Sequence, residues 1–85
     1  MNLKVQVKIA ILTSLKRMPE GYAQTDDALI AEVSLAVVPR PTRLLIENML
    51  TDLESLDYIV GVRNELTGAR KWMITDAGQC ALAQI

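Results

Sequence analysis

Apolar positions recur at helical spacing over residues 5–18. Val5, Ile9, Leu12 and Leu15 share one side with Lys8, while Val7, Ile11 and Met18 form a second apolar stripe. A helix on the surface of one small core needs only one stripe. The second therefore has two readings: it lies against the domain's other helices, or it is a dimer or partner surface. The alternation Leu3, Val5, Val7 also leaves the start open to an extended conformation. Pro19-Glu20-Gly21 ends this stretch and turns the chain, and Tyr22-Ala23-Gln24 is a short link with room for one β-bridge.

Thr25 is a good N-cap, and Asp26 and Asp27 in the first turn suit the helix dipole, so a second helix is expected to start here. Its apolar face is Leu29, Ile30, Val33 and Val37. Pro39 disfavours helix in the residue before it, which ends the second helix by Val38, and Pro41 suits the first turn of a third. That third helix extends to about Leu56. Leu45, Ile46, Met49, Leu53 and Leu56 are expected to face inward, with Arg40, Arg43, Leu44, Glu47, Thr51 and Glu54 facing outward. Residues 58–63 and 70–75 are β-prone, and the loop at 64–69 with Gly68 joins them as a hairpin, Trp72 and Ile74 sharing a face. Thr75 and Asp76 open a last helix with Cys80, Leu82 and Ile85 as its apolar contacts.

At 85 residues and 51 % hydrophobic, the chain reads as a single folded domain over residues 1–85. So short a chain buries its apolar surface inefficiently, which favours a homodimer or a protein partner. Nine basic and ten acidic residues give a net charge of −1, so bulk charge does not draw the chain to nucleic acid or membrane. One cysteine and no histidine remove an internal disulfide, the usual zinc sites and histidine-based catalysis. Apolar runs such as 9–12 and 35–38 are four residues long, too short for a membrane span or a signal core, and point to a cytoplasmic protein. No phosphate-binding glycine loop and no Cys-His or Ser-His pair is present, so neither an enzyme nor a cofactor or metal site is expected. Asp26-Asp27 is read as a helix-start pair and Cys80 as a buried structural thiol.

The order helix, link, helix, turn, helix, hairpin, helix resembles the winged helix-turn-helix family. Three segments carry the resemblance. Thr25-Asp26-Asp27-Ala28-Leu29-Ile30-Ala31-Glu32-Val33 looks like the family's second helix. The stretch from Pro41-Thr42-Arg43-Leu44 to Leu56-Asp57-Tyr58-Ile59 looks like a recognition helix running into the first wing strand. Trp72-Met73-Ile74-Thr75-Asp76-Ala77-Gly78 is similar to the second wing strand and capped final helix of small bacterial regulators. The residue before Tyr58 is often Gly in the family and is Asp57 here.

The resemblance implies an α+β winged helix-turn-helix with a three-helix core, a two-stranded wing and a short C-terminal helix. It also implies sequence-specific binding of double-stranded DNA, in the manner of a small transcriptional regulator. The third helix would enter the major groove with Arg40, Thr42 and Arg43 near bases or phosphates and Leu44 within reach of a thymine methyl. Glu47 lies on the same face, and Arg63, Arg70 and Lys71 of the wing would meet the backbone. Those basic residues can equally be a solvated face and a charged sheet edge. From Arg40 to Lys71 there are five basic and five acidic residues, so a basic patch requires the fold to separate them. The neutral balance and the stripe of Val7, Ile11 and Met18 support the alternative, a winged-helix module for protein interaction or assembly.

Overall fold

The structure, a computed structural model, describes residues 2–19 and 22–85. Among them are four helices and a three-stranded antiparallel sheet: α1 (Leu3–Lys16), β1 (Gln24–Thr25), α2 (Asp26–Ala36), α3 (Arg43–Ser55), β2 (Ile59–Arg63), β3 (Arg70–Ile74) and α4 (Asp76–Ala83). The chain is thus a small α+β domain. Glu20 and Gly21 of the expected first turn lie outside the described residues.

Each helix starts where a side-chain oxygen can accept an otherwise unpaired backbone N–H. Thr25, Thr42 and Thr75 accept from the N–H groups of Ala28, Leu45 and Gly78. Asn2 does the same for Val5 at 2.9 Å, which settles the open start of α1 as helix from Leu3. Pro41 precedes the α3 cap rather than entering its first turn, and the Val38–Pro39 peptide is cis.

The hairpin joins β2 and β3 in the register Gly61↔Trp72 and Val62↔Lys71. Gly68 supplies the left-handed loop position at φ 73°. The possible bridge beside residue 24 is a short strand, Gln24↔Trp72 and Thr25↔Lys71, so the sheet has the order β1-β3-β2 rather than two strands.

α1 is surrounded by α2, α3, α4 and β3. That many neighbours cover a wide arc, so both of its stripes reach the interior. Val7 and Ile11, candidates for a dimer surface, are fully buried beside Leu12 and Leu15. Met18 is half-buried past the helix end, and Val5 of the other stripe is exposed. The core continues through Leu29, Ile30, Val33 and Val37, then Ile46, Met49, Leu50 and Leu53, with Ile59 and Trp72 closing it from the sheet.

Three inward assignments change, at Leu56, Cys80 and Ile85. On α3, Leu50 joins the core, Leu45 packs half-buried against it, and Leu56 is exposed. Leu56 is the C-cap of α3 and so leaves the helical register. Cys80 is exposed and Ile85 is 70 % exposed, because α4 packs through Gly78, which is buried, and Leu82. A Cβ on Gly78 would run into the Tyr58 carbonyl.

The end of α3 is closed by two bonds, from Tyr58 N–H to the Leu53 carbonyl and from Asp57 N–H to the Glu54 carbonyl, both 3.0 Å. This six-residue closure needs a left-handed residue, usually glycine, and Asp57 takes that position at φ 62°. Thr75 holds the same corner: its Oγ1 donates to the Asp57 carbonyl at 2.6 Å and its N–H to the Tyr58 carbonyl at 3.0 Å.

Candidate nucleic-acid interface

The outward face of α3 begins just before the helix. Arg40 is exposed, and Thr42 spends a lone pair of its hydroxyl on the Leu45 N–H at 3.1 Å while its hydroxyl proton stays available. Leu44 is 66 % exposed.

Arg43 is not the free cation that the outward pattern suggested. Its Nε donates to Glu47 Oε1 at 2.9 Å, one turn along the helix. Its Nη2 donates to Asp27 Oδ1 at 3.1 Å, on α2, and lies 4.0 Å from Asp26 Oδ2. Hydrogen bonding to Asp27, then to Glu47, pushes the guanidinium further above its already high range. Asp26 in turn accepts from the buried Trp72 indole Nε1 at 2.8 Å. One small network therefore joins the first turns of α2 and α3 to the hairpin. Asp26 and Asp27 also lie in the first turn of α2, where their charges match the helix dipole. The Glu47 pairing is visible as an i,i+4 spacing. The Asp27 and Trp72 links span 16 and 46 residues and exist only once the chain is folded.

Glu54, further down the same face, is exposed and reaches the hairpin. Its Oε2 accepts from Gly61 N–H of β2 at 3.3 Å. Thr51 donates its hydroxyl to the Glu47 carbonyl and so is tied to the helix backbone.

At the hairpin, strand alternation divides the three basic residues. Arg63 and Arg70 are directly opposed on the face that also carries Trp72, and Lys71 projects from the other beside Val62. Arg70 lies over the Trp72 ring, 4.9 Å from its centroid, a distance suited to a cation–π contact. Arg63 and Arg70 also border a shallow groove whose opposite wall is Thr25, Asp26 and Asp27. Among the described residues, Arg40, Arg63, Arg70 and Lys71 make no ion pair, whereas Arg43 makes three. Of the five acids between Arg40 and Lys71, only Glu47 pairs with Arg43. Asp26 and Asp27 of α2 complete that cluster and also face Arg63 and Arg70 across the groove.

No group of three or more acidic or cysteine side chains among the described residues could hold a metal ion. No helix there is long and apolar enough to cross a membrane. The chain matches no family model and resembles no curated protein closely enough to be matched with it.

Proposed function

We propose that the domain is a winged helix-turn-helix that binds double-stranded DNA, with α2 and α3 as the helix-turn-helix and the β2–β3 hairpin as the wing. The observation that carries this reading is the Arg63–Arg70 pair. Like charges directly across an antiparallel ladder are destabilising, and no carboxylate pairs with either one. A polyanion gripped by the wing gives that arrangement a purpose. With α3 in the major groove, Arg40 and Thr42 would meet the backbone at its leading end, and the hairpin cations would meet it alongside.

Four unpaired cations set the expected salt dependence. Titrating a labelled random duplex by fluorescence anisotropy should give a log–log slope of about −4, and Arg63→Gln or Arg70→Gln should each reduce it by about one. No binding to any duplex at low salt would end this reading.

A second reading, a protein-interaction module, draws on Leu35 and Val38, 78 % and 84 % exposed at the α2–α3 connection, with Leu44 following. If it holds, Leu44→Ser disrupts the function and Arg70→Gln leaves it intact. Pairing of two copies would have to use a surface other than Val7 and Ile11, which the core takes up.

A further inference from the structure

We propose that Arg43 reads a guanine, and that Glu47 and Asp27 are positioning residues that hold its guanidinium in the orientation for doing so. This rests on the DNA-binding reading and adds to it a base and a mechanism of selection.

A guanidinium carries five N–H donors. Here Nε–H is given to Glu47 and one Nη2 hydrogen to Asp27. Two hydrogens on Nη1 and one on Nη2 remain, and a guanine would take one from each nitrogen as the parallel bonds to its O6 and N7 in the major groove. The side chain is 59 % exposed despite these ties. Its tether is short on one side, to its own helix, and crosses to α2 on the other, so the plane is held from two directions rather than swinging on a flexible stem.

The surrounding charge decides what such a group can bind. Asp26, Asp27 and Glu47 more than cancel the one positive charge at this spot. A phosphate carries a full negative charge and would be repelled by the excess. A guanine edge offers two neutral acceptors and suffers far less. The same carboxylates that make Arg43 a poor phosphate clamp leave it suited to a base, while Arg40 and the hairpin cations attract the backbone. Glu47 and Asp27 thus have a use that repulsion alone would not give them.

The test separates orientation from simple charge. Duplexes are selected from a random library with the intact protein, and binding of a selected and a scrambled duplex is compared by anisotropy. The selected sites should share a guanine whose replacement by adenine, with its complement, weakens binding by about 5- to 150-fold. Arg43→Lys keeps the charge but loses the paired donors, and should abolish that penalty while leaving the scrambled duplex bound as before. Glu47→Gln and Asp27→Asn each remove a negative charge, so the scrambled duplex should bind more tightly. The ratio of selected to scrambled affinity should nevertheless narrow, and Asp27→Glu should keep more of it than Asp27→Asn. Circular dichroism confirms that each variant is folded. Retained guanine preference in Arg43→Lys would overturn the assignment to Arg43 while leaving DNA binding intact. Equal tightening of both duplexes in the carboxylate variants would overturn the positioning role. If the wild-type protein bound no duplex, the DNA-binding reading and this inference would fall together.

Discussion

α1 and α3 meet the same problem with opposite outcomes. Each carries side chains on two sides that a single core contact would not absorb. In α1 the additional side is apolar, and the fold surrounds it with three helices and a strand until Val7 and Ile11 are fully buried. In α3 the additional side is charged or polar apart from Leu44, and it stays at the surface with Glu47, Glu54 and Arg43 bonded to one another or to neighbouring elements. Apolar periodicity shows which arcs of a helix can be buried. How many of them are buried depends on how many neighbours surround it, which is a property of the whole topology.

The sharpest way to break this comparison is to place a charge in the covered arc of α1. Ile11→Asp would leave a carboxylate unpaired in the core, at a cost of about 4–5 kcal/mol. An 85-residue domain has roughly 4–13 kcal/mol in total. Loss of the helical dichroism signal at room temperature is expected. A folded monomer formed from a wild-type dimer would instead return the stripe to an oligomer interface.

On the buried side of α3, Leu53→Ala should cost about 2–5 kcal/mol in urea unfolding, since Leu53 is 2 % exposed among Met49, Ile59 and Trp72. A cost near zero would mean that the inner face of α3 had been placed wrongly.

The end of α3 offers a gain. Asp57→Gly removes the left-handed strain at φ 62° yet keeps the backbone carbonyl that Thr75 uses. It should raise stability by about 0.5–1 kcal/mol, read as a higher denaturant midpoint at unchanged m-value. The smallest effect belongs to the outward face. Glu47→Gln should leave the unfolding midpoint nearly unchanged, because exposed ion pairs contribute little to stability. Any large change there would show that the Arg43 network contributes to holding the fold together.

These contrasts follow what could be read before folding. The caps at Thr25 and Thr75, the helix order and the hairpin were legible, because these residues and Gly68 act within three or four residues of their own positions. The cap at Thr42 was not, since the sequence suggested Pro41 in the first turn and Thr42 as a nucleic-acid contact. The fates of Leu56 and Cys80 were not legible. Leu56 depends on where the Asp57 closure ends the helix, and Cys80 on α4 meeting Tyr58 through a glycine rather than through its larger side chains. In the candidate site, the outward residues of α3 were correctly named as a set. Their pairing was hidden, since Asp26 and Asp27 reach Trp72 and Arg43 only through tertiary packing.

The Glu54–Gly61 bond bears on how the molecule behaves in crowded solution. β2 is an edge strand, and its exposed Val60 and Val62 make it an inviting template for another extended chain. Gly61 lies at the middle of that edge with the Trp72 ring against it, where no side chain could block an incoming strand. The carboxylate borrowed from α3 does the blocking instead. A strand adding to β2 would have to displace Glu54 from the Gly61 N–H and strip water from its charge. Glu54 thus occupies one of the outward N–H groups that the β2 edge would otherwise offer to another chain.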